Sequence, residues 1–343
     1  MQLKPIQEQV AVVVGASSGI GREVALRLVE RGAKVVVAAR SEPGLSSLVG
    51  EIASRGGEGV YAVCDVVNFE QVKAVAETAV QRFGRIDTWV NVAAVTMYAR
   101  FEDTKPEEFR RLMEVNYLGQ VHGALAALPH LRRAGGGALI AVSSVESIVS
   151  LPLHGAYAAS KHAVEGVFDA LRRELMAEGA PISVTSVKPG TINTPFFDNA
   201  LNKMDVKPKG PPPFYQPAVV ADCVLYAAAH PVRDLFAGGA AKMMATAQML
   251  APKLVDAAMA RVGIPSSRTD EPDPGGSPGN VRAPRADDNR VEGRFSDRAR
   301  RFSLYTWLET HPPAKAIAAG GALAGVALLL ARGGNGHARR RRH

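Results

Sequence analysis

The feature that most limits the possible folds is an alternation of short apolar runs with longer helical patterns between Gln9 and Met244. The apolar runs are Val10–Val14, Lys34–Ala39, Gly59–Val63, Thr88–Val92, Ala138–Val142 and Ser183–Val187. Runs such as VAVVV are apolar throughout, which is typical of parallel strands covered by helices on both faces. The sequence therefore predicts an α/β fold, a Rossmann-type doubly wound parallel sheet whose ligands bind at the carboxyl ends of the strands.

Chain length and charge narrow the classes of protein. With 343 residues, the chain is long enough for one large α/β domain with an appendage, or for two modest domains. The net charge of +8 raises the question of nucleic-acid binding. From Arg268 onward, however, fourteen Lys or Arg stand against eight Asp or Glu, so this part carries most of the surplus. The rest of the chain is close to neutral, and we predict no nucleic-acid partner.

The cysteines, the histidines and the start of the chain exclude other kinds of site. Cys64 and Cys223 stand far apart without CxxC spacing, which argues against a disulfide framework or a thiolate metal site. The histidines show no metal-ligand spacing such as HExxH, so we predict no metal. The polar residues 1–9 lack the features of a secretory signal. We therefore expect a cytoplasmic protein.

The first apolar run leads directly into a glycine-rich turn, GASSGIG, which is followed by a helical pattern. Glycines allow a tight turn and a close approach to a pyrophosphate, while free N–H groups and the dipole at a helix start attract its charge. A glycine triplet alone can be a structural turn, but the strand before it and the helix after it favour a phosphate site. We therefore predict dinucleotide contacts from Gly15, Ser17, Ser18, Gly19, Ile20 and Gly21.

This GxxxGxG spacing resembles the short-chain dehydrogenase/reductase family, and the resemblance continues in order over residues 8 to 240. Asp65 matches the family's acid that bonds the adenine amino group, and Asn91 matches the first residue of its NNAG motif. The segment PGTINT matches the PGxxxT motif, which implies cofactor contacts from Pro189, Gly190, Ile192 and Thr194. The family's catalytic set falls on Asn116, Ser144, Tyr157 and Lys161. The resemblance implies an alcohol–carbonyl oxidoreductase that uses a nicotinamide and forms a homo-oligomer, a dimer or a tetramer.

The end of the second apolar run bears on cofactor choice. Ala39 stands where NAD-selective relatives carry an acid that bonds the ribose hydroxyls, and Arg40 follows it directly. A planar guanidinium there can bind a 2′-phosphate, which favours NADP(H). The alternative is a surface arginine at a strand end. Ser18 weakens the NADP prediction, because many NADP-selective relatives carry a second basic residue at that position.

Tyr157 and Lys161 stand four residues apart in a strongly helical segment, so both project from one helix face. A nearby ammonium and a cationic nicotinamide favour the phenolate, so Tyr157 can exchange a proton with the substrate oxygen. Ser144, thirteen residues before the tyrosine, can hydrogen-bond that oxygen where charge develops. The resemblance assigns Asn116 to a water that links Lys161 to solvent. An isolated YxxxK often only lines a solvated face, but Ser144 and Asn116 favour the catalytic interpretation.

The segments Val95–Phe101, Glu146–Gly155 and Pro195–Gln216 match the family's substrate loops. Their apolar and aromatic side chains are Met97, Tyr98, Phe101, Leu151, Leu153, Phe196, Phe197, Phe214 and Tyr215. They favour an apolar alcohol or ketone as the substrate. Aromatic residues in such loops also often pack against the protein itself. His154 lies near the expected active site.

The composition changes after Gly239, and we predict three parts beyond a catalytic domain of residues 1–245. Residues 246–264 read as a packing helix interrupted at Pro252, and residues 265–303 as a disordered linker poor in apolar side chains. Residues 304–343 read as an apolar helix with a basic C-terminal tail. The uncharged run 316–331 is shorter than the about twenty residues that span a bilayer, so membrane contact through 316–343 and docking on the enzyme both stay open.

Two functions of different class follow from this sequence. The first is an NADP(H)-dependent oxidoreductase that interconverts an alcohol and a carbonyl by hydride transfer, with Tyr157 as proton donor or acceptor. The second is a catalytically silent NADP-binding sensor or scaffold that acts through its C-terminal tail. The complete Asn–Ser–Tyr–Lys set favours the enzyme, because a sensor has no need of it.

Overall fold

A computed structural model describes residues 1–274, 276–285 and 289–317. The strands in chain order are β1 (Val10–Val14), β2 (Lys34–Ala39), β3 (Gly59–Val63), β4 (Thr88–Asn91), β5 (Met97–Tyr98), β6 (Gly137–Val142), β7 (Ile182–Pro189), β8 (Thr191–Ile192), β9 (Leu201–Asn202), β10 (Val206–Pro208), β11 (Phe214–Tyr215), β12 (Asp234–Ala237) and β13 (Arg268–Pro272). Seven of them form one parallel sheet in the order β3-β2-β1-β4-β6-β7-β12. The strand order reverses between β1 and β4, which places the ligand crevice of such a fold at the carboxyl ends of these two strands.

The helices cover both faces of this sheet. They are α1 (Gly19–Glu30), α2 (Glu42–Ser54), α3 (Phe69–Phe83), α4 (Pro106–Met113), α5 (Gly119–Arg133), α6 (Gly155–Ala177), α7 (Pro217–Ala229), α8 (Gly239–Leu250), α9 (Pro252–Ser266) and α10 (Leu304–Thr310). Buried side chains of α1, α2 and α7 form the core on one face, and those of α3 to α6 form the core on the other. Every residue of β1 is buried between these two layers, which explains its uninterrupted apolar run.

The predicted α/β class and doubly wound parallel sheet are confirmed. The six apolar runs of the sequence coincide with six sheet strands, and their ends differ by at most two residues. The seventh strand, β12, was not predicted. It has only four residues, and such a short apolar run cannot be distinguished from part of a buried helix by its pattern.

The segment after α9 differs from the predicted linker. The sequence predicts disorder over residues 265–303, whereas the structure pairs β13 antiparallel with β10 and buries Val281 and Phe295 against the main domain. Backbone hydrogen bonds attach the described residues of this segment at several points, for example from Asn280 N to Asn199 O at 2.9 Å. The prediction counted apolar side chains, but this segment is held largely by its peptide groups and by two apolar anchors.

The predicted boundary at residue 304 also falls inside packed structure. Helix α10 contacts α7 and β12, and the Thr306 hydroxyl accepts a hydrogen bond from Gly238 N at 2.9 Å. Most of the predicted apolar helix with its basic tail, from residue 318 onward, lies outside the described residues. Within the part of the chain that is described, no helix combines the length and the apolar character needed to cross a membrane.

Candidate active site

The glycine turn after β1 forms a tightly packed cradle. Gly15 has a φ of +94°, and a Cβ atom added to it would lie 2.4 Å from the backbone nitrogen of Ala93. A Cβ on Gly21 would lie 2.1 Å from the carbonyl oxygen of Gly15, because α1 begins directly against the turn. Only glycine allows this approach, and the N-terminus of α1 therefore borders the crevice with its dipole.

One cavity runs along the carboxyl ends of the central strands and joins the glycine turn to the predicted catalytic residues. Of the residues that the sequence assigns to cofactor binding and catalysis, fourteen line it: Gly15, Ser17, Ser18, Gly19, Ile20, Gly21, Arg40, Ser144, Tyr157, Lys161, Pro189, Gly190, Ile192 and Thr194. The other three, Asp65, Asn91 and Asn116, lie outside that lining. The glycine-lined part of the cavity meets the N-terminus of α1, where an anionic group of a ligand would be stabilised.

Tyr157, Ser144 and Lys161 meet at one end of this cavity. Tyr157 and Lys161 are both buried on α6, and the Lys161 Nζ lies 5.6 Å from the centroid of the Tyr157 ring. The Ser144 side chain, just beyond β6, lines the same cavity and lies close enough to the Tyr157 phenol to lower its pKa. Lys161 Nζ also donates to the carbonyl oxygen of Val142 at 3.0 Å, which fixes the ammonium beneath the tyrosine. The hydroxyl groups of Ser144 and Tyr157 can together bind one oxygen atom of a substrate.

Burial sets the protonation of this pair. It raises the pKa of the Tyr157 phenol far above its ordinary value, and the negative charge of Glu146 raises it further, while the hydrogen bond from Ser144 lowers it. Burial also lowers the pKa of Lys161 to about 8, against the opposing charges of Glu165 and Glu146. Without a ligand, Tyr157 is therefore a protonated acid at neutral pH.

Asn116 lies behind the catalytic end of the cavity, in a π-helical turn (Glu114–Leu118) between α4 and α5. Its amide exchanges hydrogen bonds with the backbone of Val95 at 2.8 and 2.9 Å and donates to the Ser160 hydroxyl at 3.0 Å. Ser160 in turn donates to the carbonyl oxygen of Tyr157 at 2.6 Å. The side chain thus ties the loop after β4 to α6. A local π-helical turn is frequent at functional sites, and no periodicity in the sequence announces it.

Asn91 and Asp65 also make contacts within the protein. The Asn91 side chain accepts from the indole N–H of Trp89 at 2.8 Å and donates to the carbonyl oxygen of Gln120 at 3.3 Å. The Asp65 carboxylate accepts from Val67 N at 3.2 Å and lies 3.6 Å from the guanidinium of Arg111. These contacts show Asn91 bracing β4 against α5 and Asp65 at the outer edge of the sheet.

The structure adds a buried acid and histidine beside Tyr157. Glu146 Oε1 lies 2.8 Å from Nδ1 of His154, and both side chains are almost fully buried. The His154 ring packs on Tyr98, with a centroid distance of 3.9 Å, and lies 5.4 Å from the ring of Tyr157. The sequence places His154 near the active site but does not single out Glu146. The only feature of the sequence that could have indicated Glu146 is its position two residues after Ser144.

Arg40 lies at the opposite end of the cavity and contacts the C-terminal segment. Its guanidinium donates to the carbonyl oxygens of Asn280 and Arg282 at 2.6 and 3.3 Å. The amide of Gly19 donates to the carbonyl oxygen of Arg290 at 2.8 Å, so the same segment also reaches the glycine turn. These contacts join residues about 240 or more positions apart, which no local sequence pattern predicts.

The predicted substrate loops divide into two groups. Tyr98, Leu151, Phe196 and Phe197 line the cavity, and the Phe196 ring lies 5.6 Å from that of Tyr157. Phe214 and Tyr215 are buried against the protein itself, whereas Phe101 is 80% exposed. The cavity end near Tyr157 is therefore apolar and aromatic, as the loop composition predicts, but fewer of these side chains contribute to it.

The described residues around the cavity offer neither a metal site nor an activated cysteine. The part of the chain that the structure describes holds no cluster of His, Cys, Asp or Glu suited to a metal ion. Both cysteines are buried thiols, and burial raises the pKa of Cys64 to about 12. Neither is an activated nucleophile.

Fold and site together define a nucleotide-binding α/β oxidoreductase, and comparison with known proteins identifies its family. The family model described as short chain dehydrogenase matches residues 9–205. An uncharacterised oxidoreductase of Bacillus subtilis, YxnA, is 39% identical over 274 residues, which cover 79% of this chain and 77% of that protein. Dehydrogenase/reductase SDR family member 7B of Danio rerio is 33% identical over 244 residues, 68% of this chain and 78% of that protein. The chain belongs to the short-chain dehydrogenase family.

Solved structures agree with this assignment. An alcohol dehydrogenase of the archaeon Thermococcus sibiricus, complexed with 5-hydroxy-NADP, is 29% identical, with a TM-score of 0.57 over 66% of this chain and 95% of that chain. A short-chain dehydrogenase/reductase of Burkholderia phymatum in complex with NAD is 24% identical, with a TM-score of 0.66 over 74% and 96%. The second shows the likeness of the fold alone.

Proposed function

We propose that this protein is an NADP(H)-dependent oxidoreductase that interconverts an alcohol and a carbonyl, with Tyr157 as the proton donor or acceptor. The observation that carries the proposal is the single cavity that joins the glycine turn and Arg40 at one end to Tyr157, Ser144 and Lys161 at the other. A dinucleotide is the ligand class that needs a phosphate cradle at one point and reacts at a distance from it. When bound, a nicotinamide supplies or accepts the hydride.

Side chains of the protein transfer the proton and stabilise the charge that develops on the substrate oxygen. In reduction, Tyr157 donates its proton to the substrate oxygen, because burial keeps the phenol protonated without a ligand. Ser144 hydrogen-bonds the same oxygen and polarises the carbonyl. The Lys161 ammonium stabilises the phenolate that remains. In oxidation, the phenolate takes the proton of the alcohol.

Asn116 acts as a positioning residue in this proposal. Its hydrogen bonds to Val95 and Ser160 hold α6 against the loop after β4, and the family resemblance assigns to it a water that links Lys161 to solvent. Asp65 and Asn91 would contact the cofactor at its adenine and at its central part. For Asp65, this contact requires the carboxylate to share its oxygens with Arg111.

Arg40 supports NADP(H) over NAD(H). It follows Ala39 at the end of β2, the position at which an acid would repel a 2′-phosphate, and its guanidinium lines the cavity. The alcohol dehydrogenase of Thermococcus sibiricus was solved with an NADP derivative, which agrees with this preference.

The apolar end of the cavity favours an apolar alcohol or ketone as the substrate. A screen of the purified protein for NADPH oxidation across apolar ketones, aldehydes and quinones tests the function. Turnover with at least one of these classes supports the enzyme. Tight NADPH binding without turnover across the whole set would favour the catalytically silent sensor.

Membrane contact through residues 316–343 is a second proposal, and exposed apolar side chains on α8 and α9 favour it. Met249, Leu250 and Leu254, around the junction of α8 and α9, are 76%, 80% and 72% exposed. An apolar surface together with a basic terminus supplies the two signals for stable attachment to anionic lipid. A chain that ends at residue 317 should keep its activity and lose co-sedimentation with anionic vesicles. A full-length protein that stays in the supernatant would contradict this proposal.

We further propose a cytoplasmic homo-oligomer, a dimer or a tetramer. The two free, buried thiols fit a reducing compartment. Sedimentation of the purified protein at several concentrations tests the oligomeric state.

A further inference from the structure

Three consecutive carbonyl groups of the C-terminal segment bind two arginines at the edge of the cofactor cavity. We call residues 276–285 the clamp. The carbonyl oxygens of Asn280 and Arg282 accept from Arg40, and that of Val281, between them, accepts from the Nε of Arg111 at 3.0 Å. The clamp lies beyond residues 9–205, the part of the chain that the family model matches.

The clamp is firmly attached to the main domain. Val281 is 1% exposed and packs into the core on the α3 to α6 face of the sheet. Gly279 has a φ of +57°, and a Cβ atom added to it would lie 2.3 Å from the carbonyl oxygen of Asn199. Ser277 and Asn202 exchange two backbone hydrogen bonds at 2.7 and 3.0 Å. These contacts fix the position of the three carbonyl groups.

The clamp forms part of the wall of the cofactor cavity. Asn280, Pro284 and Arg285 line the same space as Arg40 and the glycine turn. A ligand in this space would lie between the sheet on one side and the clamp on the other. Such enclosure removes water from the charged groups and strengthens their interactions.

The contacts of Arg40 fix its orientation. A guanidinium carries five N–H donors in a rigid fork, and the two carbonyl bonds use one on each Nη atom. The remaining donors keep a fixed direction, so the Arg40 side chain loses little conformational entropy when a phosphate binds to them. Burial lowers the pKa of Arg40, while the charge of Asp65 opposes this effect. The guanidinium is therefore partly desolvated and favourable for an anion.

We infer that the clamp is part of the cofactor site, holding Arg40 in place for the 2′-phosphate of NADPH and enclosing the adenosine half of the cofactor. This inference rests on the proposed function, because it deepens the NADP(H) preference. It assigns a specificity-determining role to residues outside the segment that carries the family's motifs.

Substitution of the buried anchor tests the clamp. We expect Val281→Asp to detach it, since an unpaired carboxylate is not tolerated at a fully buried position. The dissociation constant for NADPH, measured by fluorescence titration, should rise about tenfold or more, and that for NADH should rise less. Val262→Asp introduces the same charge at a half-exposed position of α9 and should leave both constants unchanged. Unchanged NADPH affinity in folded Val281→Asp would overturn the inference.

A second variant and a double mutant guard against trivial explanations. If Val281→Asp fails to fold, Gly279→Ala strains the clamp at a positive φ and should also weaken NADPH binding. In an Arg40→Ala background, Val281→Asp should cause a much smaller further loss of NADPH affinity, because both changes remove the same contact. Fully additive losses would show that the clamp does not act through Arg40.

Proteolysis gives a readout that is independent of activity. Trypsin cleaves after Arg282 and Arg285 in the clamp, and saturating NADPH should slow both cleavages. Faster cleavage with NADPH would mean that the cofactor displaces the clamp, which overturns the inference. A wild-type preference for NADH would contradict the proposed cofactor, whereas loss of affinity in Val281→Asp for the preferred cofactor would still support the clamp as a wall of the site.

Discussion

Replacement of Lys161 by methionine should produce a protein that is more stable at pH 7 and inactive. Lys161 is 1% exposed, and burial lowers its pKa from about 10.5 to about 8. The difference between these two pKa values corresponds to about 3 kcal/mol, by which the buried ammonium destabilises the folded protein at pH 7. Methionine fills a similar volume without this charge.

The sign of the pH dependence follows from the two pKa values. The unfolded chain holds the Lys161 proton up to about pH 10.5, whereas the folded chain releases it above about pH 8. Between these values the unfolded state binds more protons, so the stability of the wild type rises with pH. The penalty is about 3 kcal/mol at pH 7 and about 1.4 kcal/mol at about pH 9.5.

The stability difference between Lys161→Met and wild type should therefore shrink by about 2 kcal/mol between these two pH values. A smaller loss, independent of pH, comes from the hydrogen bond that Lys161 donates to the carbonyl oxygen of Val142. That oxygen keeps a second donor, Nε2 of Gln120 at 3.3 Å, so the loss is about 1 kcal/mol.

Urea unfolding at both pH values measures this difference, and Lys188→Met provides a matched control. Lys188 is also buried, but it is paired with Glu165 at 3.0 Å and with Asp234. Its removal leaves the Glu165 carboxylate without this cation, while Asp234 keeps Arg233, and should destabilise the protein at both pH values. A stability difference for Lys161→Met that does not change with pH would show that the buried ammonium is not destabilising, and full activity of that variant would exclude a catalytic role for Lys161.

Three further substitutions probe other parts of the site. Arg40→Ala should weaken NADPH binding about 10- to 100-fold in fluorescence titrations and leave NADH binding almost unchanged, since it removes a charge-assisted contact to the 2′-phosphate. An equal loss of affinity for both cofactors would show that Arg40 has only a structural role. Glu146→Gln removes a negative charge that raises the pKa of Tyr157, so the pH profile of alcohol oxidation should shift to lower pH, and an unmoved profile would exclude this coupling. Gly21→Ala places a Cβ atom 2.1 Å from the carbonyl oxygen of Gly15. It should lower cofactor affinity more than tenfold and reduce the free energy of unfolding by about 1–3 kcal/mol, measured by thermal unfolding. Unchanged cofactor affinity would show that the glycine turn does not bind the cofactor.

The sheet and the two ends of the cavity could be predicted because local patterns encode them. Buried parallel strands must be apolar on both faces, and a glycine turn between a strand and a helix has a fixed spacing. Tyr157 and Lys161 share a helix face, so their separation of four residues already makes them neighbours. Ser144 could be placed by its distance along the chain from Tyr157.

The remaining features of the site depend on contacts between distant segments. The clamp could not be predicted, because Asn280 and Arg282 bind Arg40 through carbonyl groups that every residue type possesses. The disorder predicted for residues 265–303 has the same origin, since composition does not reveal hydrogen bonds made by the backbone. Glu146 went unnoticed because its partner, His154, becomes significant only once both are buried beside Tyr157.

The central claim is that Tyr157 transfers the proton while hydride passes between the cofactor and the substrate. The most direct test compares wild type and Tyr157→Phe in NADPH oxidation with a substrate from the ketone, aldehyde and quinone screen, with NADPH affinity measured on both proteins. We expect turnover to fall about 10²- to 10⁴-fold and the dissociation constant for NADPH to change little, because phenylalanine keeps the ring and lacks only the hydroxyl with its exchangeable proton. Undiminished turnover in Tyr157→Phe would contradict the mechanism.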